Sequence, residues 1–377
     1  MSTRVGTTPR TGWAVAVRQA LAVLAALLTV AVSAAPARAD SIRDKQWYWS
    51  PMKVSEAQKI TKGAGVVVAV LDTGVDASHP DLRGAVLPGR QIVQNKPAGN
   101  DDGVGHGTGM AGIIAGRGHG SGGGILGIAP QAKILPIRPV NDTYFVAQGI
   151  RWAVDHGAKV ITLAFEIDPS ENLQSALKEA AAADVVLVGA AGNEADKGND
   201  AEYPGAYPQV LTVGALDRRN KVAAFSNHGP QVDLAAPGVD ITVPAPGDTY
   251  AEVEGSSVSA ALVAGAAALI RAEHPDLSAA AVVDRLTSTA IDRGDKGRDD
   301  YYGAGQLDLM AALTAPQPKA TSAGPAATDA PVAAPGPAPA DDDENGGIPP
   351  ALIVTAGVVL LAGATLAVFL LARRRTR

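Results

Sequence analysis

A chain of 377 residues without a single cysteine has no thiol nucleophile, no thiolate metal ligand and no disulfide frame, so its stability must come from a packed core. Its net charge of −6 understates how acidic the body is: the two ends hold eight arginines and no acid, which leaves the remainder near −14. Such a body does not suit a nucleic-acid or anionic-membrane partner.

In chain order, Arg4, Arg10 and Arg18 precede an apolar stretch from Ala20 to about Ala35, and Ala37-Arg38-Ala39 has the small-x-small form of a cleavage site. Residues 1–39 therefore read as a secretory signal peptide, the apolar run being shorter than the ~20 residues of a span. The mature chain then starts near Asp40. Residues 40–314 are enough for one α/β domain with a substantial core. Within them, 65–71 is a continuous apolar, β-branched run, as expected of a strand buried on both faces of a parallel sheet. Similar runs recur at Lys133–Ile137, Lys159–Leu163, Val185–Gly189 and Val210–Val213, and helical patterns at Met110–Ala115, Phe145–His156 and Leu173–Ala183 lie between them. This alternation predicts right-handed crossovers and a central parallel sheet. A small-residue helix follows at Ser257–Ala272, then a second at Leu277–Ser288 with Ser278 as N-cap.

Residues 315–350 are rich in Pro, Ala and Thr and end in Asp341-Asp342-Asp343-Glu344, a composition that reads as a disordered, acidic linker. It could reach ~110 Å as polyproline-like chain and nearer 35 Å as flexible coil. Residues 351–372 carry no charge and are long enough, at ~33 Å, for a hydrocarbon core of ~30 Å. Arg373, Arg374, Arg375 and Arg377 follow at once, which by the positive-inside rule puts residues 373–377 in the cytoplasm and the domain outside. The expected protein is a single-pass cell-membrane protein with an extracellular domain. Its partners would be the bilayer and proteins or peptides within reach.

Three short strings carry the chemistry: VLDTGVD around Asp72, GHGTGMAG around His106 and GSSVSAALVAG around Ser257. A serine hydroxyl needs a base to take its proton, and the base needs an acid to hold its tautomer. Ser257 opens a helix directly after Gly255-Ser256, where the helix N-terminus adds positive potential. Each string alone has an ordinary alternative: a closely packed helix start, a structural histidine, an aspartate capping a turn. Asn193, in AAGN, could likewise be a turn residue or an amide donor to an oxyanion. Their joint occurrence favours acyl transfer. An α/β-hydrolase elbow does not fit, since position 259 is Ser and too little chain follows Ser257 to supply the partners.

From Lys45 to Leu313 the residues resemble the subtilisin-like serine proteases (subtilases, peptidase S8). The resemblance rests on the three blocks with HPDL at His79–Leu82, GIAP at Gly127–Pro130, AAGN, FSN at Phe225–Asn227 and APG at Ala236–Gly238. It implies a three-layer α/β sandwich and a serine endopeptidase, with Asp72 as orienter, His106 as general base then acid, Ser257 as nucleophile and Asn193 as oxyanion donor. It implies no catalytic cofactor and leaves calcium open, since Asn199, Asp200, Asp299 and Asp300 show no diagnostic spacing. Within the family the layout is most similar to the mycosins, anchored subtilases of type VII secretion. A type VII membrane complex is the partner this implies.

Some positions depart from the family pattern. Ala164, Phe165 and Glu166 stand where a Ser-x-Gly stretch borders the substrate cleft with Gly192, and Glu166 is expected to narrow the pocket or favour a basic residue before the cleaved bond. Ala261 replaces a proline and Gly109 a histidine. These departures sustain an alternative in which a weakly active or inactive domain serves as scaffold of a secretion complex.

Overall fold

The computed structural model describes residues 41–98, 101–120 and 122–316, all within the first of the two units into which the chain divides, Met1–Gln317. The expected signal peptide, the linker beyond residue 316, the span at 351–372 and the basic tail lie outside the described residues.

A helix α1 (Val54–Ile60) precedes β1 (Val67–Leu71), a short hairpin of β2 (Arg90–Gln91) and β3 (Lys96–Pro97), and helix α2 (His106–Ala115). A second hairpin, β4 (Arg117–His119) and β5 (Gly123–Leu126), leads to β6 (Lys133–Arg138), α3 (Thr143–Asp155), β7 (Val160–Leu163), α4 (Glu171–Ala182) and β8 (Val186–Ala190). Then come β9 (Leu211–Leu216), β10 (Leu234–Pro237), a third hairpin of β11 (Ile241–Ala245) and β12 (Thr249–Val253), and helices α5 (Ser256–Glu273), α6 (Ala279–Ser288) and α7 (Leu309–Thr314). The main sheet runs β10-β9-β8-β7-β1-β6-β2-β3, parallel throughout except for the β2–β3 hairpin.

Strand β1 shows why its sequence is a continuous apolar run. Val68 and Val70 join the core under α2 and α5, while Ala69 and Leu71 join the core under α3 and α4. Both pleat faces are buried, so nothing on the strand can be polar. The two strands beside β1, β6 and β7, continue the chain in opposite directions across the sheet, so the strand order reverses there. Their carboxyl ends part around residue 72, the place where open α/β sheets bind ligands.

Helix α5 is long and apolar enough to cross a membrane by length and composition, yet 83% of that apolar window is buried inside the fold. It is a core helix. Ser278 caps α6 as expected, its hydroxyl accepting from Ala281 N at 3.2 Å. Helix α2 starts at His106, four residues before the apolar pattern that announces it, because its glycines are poor helix formers held by packing. Strand β10 and the β11–β12 hairpin carry no period strong enough to read: Leu234–Pro237 is four residues with a proline, and β12 is half-exposed throughout.

The amino-terminal segment is stitched to the domain by side chains. Arg43 donates to the carbonyls of Gly123 and Gly124, Gln46 exchanges hydrogen bonds with Leu126, and the Trp47 indole donates to Val239 O.

Candidate active site

Asp72 follows β1 directly, and its N–H donates to Ile137 O at 3.0 Å, which carries the parallel pairing one residue past the strand end. Its carboxylate is enclosed, with only 2% of the side chain exposed, and accepts from Thr73 N at 2.7 Å. His106 is the first residue of α2. Its Nδ1 lies 2.9 Å from each Asp72 carboxylate oxygen and its Nε2 lies 3.1 Å from Ser257 Oγ. The approach depends on Gly107: a Cβ there would stand 2.1 Å from Gly74 O and 3.0 Å from Asp72 Cβ. No side chain fits between the helix start and the aspartate loop.

Ser257 is the second residue of α5, reached through Gly255 at φ 151°, a backbone that side-chain-bearing residues avoid. Its hydroxyl faces His106 at the positive end of an 18-residue helix. Asn193 stands opposite, three residues beyond β8. Its Oδ1 accepts from Ser256 N at 2.8 Å and from Ser256 Oγ at 3.1 Å. Those bonds fix the amide's orientation and leave Nδ2 as the end available to a bound oxygen. Asp72, His106, Ser257 and Asn193 thus come together from four separate elements of the chain.

Three contributors to this site were given no role of their own in the sequence analysis. Asp102 is buried, and its carboxylate gathers the loop: Oδ1 accepts from Thr73 Oγ1 at 2.8 Å and Gly105 N at 2.8 Å, and Oδ2 from Thr108 N at 2.9 Å and Thr108 Oγ1 at 2.6 Å. It locks the Asp72 turn to the start of α2. An acid four residues before a glycine-collared histidine is the only trace it leaves in the sequence. Ser256 orients Asn193 as described. Glu202, nine residues past AAGN, accepts from Asn193 N at 3.3 Å.

Burial pulls the His106 imidazole toward lower pKa, but the charge of Asp72, its hydrogen bond and the charge of Asp102 outweigh it, so the pKa rises above its ordinary 6.5. A base raised in this way binds a proton more strongly, and Asp72 supplies the compensating charge.

A cavity of about 440 Å³ opens between Asp72, His106, Val140, Ala164, Phe165 and Glu166. A second, of about 280 Å³, lies on the other side of His106 and Ser257 against Val243, Pro244, Ala251 and Val253. Gly192 lies outside both linings, behind Asn193, where its N–H donates to Ser256 Oγ at 3.1 Å. Ala261 is fully buried within α5, and at Gly109 a Cβ would press to 3.1 Å from Val243.

The loop residues considered for calcium do not converge. Asn199 bonds His228 and Asp299 caps the turn at Tyr301 and Tyr302. Among the described residues no group of three or more His, Asp or Glu side chains could hold a metal ion.

The order Asp, His, Ser along the chain, on a parallel sheet with a serine at a helix start, defines a serine hydrolase of subtilisin type. Residues 63–305 match the Subtilase family, and the chain belongs to it. It is 40% identical over 260 residues to subtilisin DY of Bacillus licheniformis, covering 67% of this chain and 92% of that one. To subtilisin E of Bacillus subtilis it is 38% identical over 258 residues, covering 66% of each. The solved structure of MycP1 with its N-terminal propeptide removed superposes with a TM-score of 0.63 at 32% identity, over 72% of this chain and 98% of that one. Another MycP1 structure, described as an essential component of the type VII (ESX-1) secretion system, gives 0.64 at 31% identity, over 73% and 90%. The protein is a serine endopeptidase of the subtilisin family, with mycosins among its structural neighbours.

Proposed function

We propose that this protein is a membrane-anchored extracellular endopeptidase that cleaves secreted or cell-envelope proteins, working beside a type VII secretion complex. In this reading Ser257 attacks the scissile carbonyl while His106 takes its proton, and Asp72 holds the imidazole with Nδ1 protonated. The oxyanion forms between Asn193 Nδ2 and the N-terminus of α5. His106 then protonates the leaving amine, and water hydrolyses the acyl-enzyme by the same groups. The observation that carries the reading is the unbroken relay, Asp72 to His106 at 2.9 Å and His106 to Ser257 at 3.1 Å. A decayed scaffold would have no need of it.

The domain plan is signal peptide 1–39, peptidase 40–314, linker 315–350, span 351–372 and cytoplasmic tail 373–377. The anchoring rests on sequence, and the link to secretion on the likeness to MycP1. Both are tested in one strain series. A deletion strain is complemented with the wild type or Ser257→Ala, the surface proteome is read by mass spectrometry, and proteins secreted by the type VII apparatus are counted. Uncleaved substrates with Ser257→Ala support proteolysis. Full secretion with an unchanged set of cleavage products makes the domain a scaffold.

A further inference from the structure

Helix α2 carries His106 at its first position but has little of its own to hold that position. Three of its ten residues are glycine, the poorest helix former after proline, and its N-cap Gly105, at φ 94°, offers no side chain to the free N–H groups of the first turn. Those groups are met from outside the helix. Gly107 N donates to Thr73 Oγ1 at 3.1 Å, and Thr108 N donates to Asp102 Oδ2 at 2.9 Å. The side chain that caps α2 thus sits six residues upstream of the N–H it holds.

Asp102 is 5% exposed and accepts five hydrogen bonds. Thr73 Oγ1, Val104 N and Gly105 N donate to Oδ1, and Thr108 N and Thr108 Oγ1 donate to Oδ2. Every backbone partner is an N–H, so both oxygens must accept. An amide at this position would turn its NH2 either on Thr108 N–H or on the N–H groups of Val104 and Gly105. No cation competes for the carboxylate: among the described residues Asp102 belongs to no ion pair, and Arg138 is bonded to its neighbour Asp101 at 3.0 Å.

Both arms of this network stop one residue short of the relay. Thr73 follows Asp72, and its N–H donates to Asp72 Oδ1 at 2.7 Å. Gly105 precedes His106, and Thr108, two residues beyond, also accepts from Asp76 N at 2.9 Å, at the far end of the Asp72 turn. The two segments touch at Gly107 with no room for a Cβ, so neither can shift alone. Building on the proteolytic reading above, we infer that Asp102 is a positioning residue for the cleavage reaction: by holding the Asp72 turn and the first turn of α2 on one carboxylate, it sets where the His106 ring stands between Asp72 and Ser257. It works through Thr73, Gly105 and Thr108, and none of its hydrogen bonds goes to the side chains of the relay.

The same carboxylate acts on His106 through its charge. Burial lowers the His106 pKa, while the charge and hydrogen bond of Asp72 and the charge of Asp102 together raise it by more. Geometry and charge can be taken apart. Asp102→Asn alters both, whereas Thr73→Val and Thr108→Val each remove one anchor and leave the charge in place. A misplacement of about 1 Å in such a relay is enough to cost on the order of 10²-fold in rate.

The test uses the full-length chain in detergent and a peptidyl diphenyl phosphonate, with the maximal rate of Ser257 labelling and the half-saturating concentration read separately from about pH 5 to pH 9. Asp102→Asn should lower the maximal rate about 10–100-fold, leave the half-saturating concentration within about threefold, and move the acid limb to lower pH. Thr73→Val and Thr108→Val should each lower the maximal rate about three- to tenfold with the limb in place. Thr108→Ser, which keeps the hydroxyl, should recover most of that loss. A residue that only stabilises the fold would lower the melting temperature of Asp102→Asn and leave the maximal rate and acid limb of the folded protein as in the wild type, which overturns the inference. A loss carried by the half-saturating concentration overturns it too. If Asp102→Asn does not fold, the threonine variants decide, and wild-type maximal rates in both Thr→Val variants overturn it. A wild type that never labels at Ser257 would instead remove the proteolytic reading, and this inference with it.

Discussion

Among the described residues two Asp–His pairs lie in this domain, and one of them ends at a serine hydroxyl. Asp72 holds His106 at 2.9 Å and Asp81 holds His119 at 2.6 Å. Both aspartates are enclosed, at 2% and 0% side-chain exposure, and both histidines are open to a similar degree, at 36% and 43%. They differ in what surrounds them. Asp81 also accepts from Ile125 N at 2.7 Å and from Tyr250 OH at 2.9 Å, so it ties β5 and the β11–β12 hairpin to the turn at His79–Leu82. No described hydroxyl is bonded to the other ring nitrogen of His119, whereas His106 meets Ser257 there at the start of a helix. An Asp–His pair alone is a structural joint; the pair with a serine at the far nitrogen and an amide opposite is the one proposed above as the reaction centre.

Substitutions can break this comparison. Ser257→Ala should reduce peptide hydrolysis by at least about 10⁴-fold, since nucleophile and base act as a unit. Asp72→Asn should cost on the order of 10⁴-fold in kcat through loss of the correct tautomer. Asn193→Ala, which removes one oxyanion donor, should lower kcat about 10²–10³-fold with little change in KM. On the structural pair the order reverses. Asp81→Asn should destabilise by about 1–3 kcal/mol by disrupting the buried hydrogen bonds its carboxylate accepts from Ile125 N and Tyr250 OH, seen as a lower denaturant midpoint, while kcat/KM changes only a few-fold. If Asp81→Asn abolished turnover in a folded protein, the distinction between the two pairs would fail.

The smallest expected effects are in pH dependence. His106 must be neutral to act as base, and its pKa is raised, so kcat/KM should climb on an acid limb that lies above the ordinary imidazole value. Asp102 contributes to that rise, so Asp102→Asn should move the limb to lower pH. In stability terms the raised His106 contributes below pH 6.5, and this contribution is lost as pH rises through its folded-state pKa. Glu202 has the same sign: the folded state holds its proton more tightly, so stability falls as pH rises from 4.5 through about 6. Glu202→Gln should therefore be more stable than the wild type at pH 8, by about 1 kcal/mol after allowance for its half-exposure, and no more stable at pH 4. Thermal melts at the two pH values check this.

Legibility in the sequence followed burial and locality. The strands buried on both faces were readable because uninterrupted apolar runs have one outcome in a parallel sheet, and β1, β6, β7 and β8 fall within two residues of expectation. Asp72, His106, Ser257 and Asn193 were readable because each sits in a turn of small residues at a strand or helix end. Asp102 and Glu202 were not, since their importance lies in which loops they face. Gly107 looks in the sequence like one more glycine; only the 2.1 Å approach to Gly74 O explains it. The β11–β12 hairpin, which walls the second cavity, is announced only by Pro246-Gly247-Asp248 at its turn, since its strands lack a long apolar run or a clear alternation.

The most direct test is to treat the full-length protein with a serine-directed phosphonate and map the modified residue by mass spectrometry. The relay predicts one modified residue, Ser257, with labelling lost in His106→Ala and retained in His119→Gln. Labelling at another serine, or labelling of Ser257 that persists in His106→Ala, would contradict it.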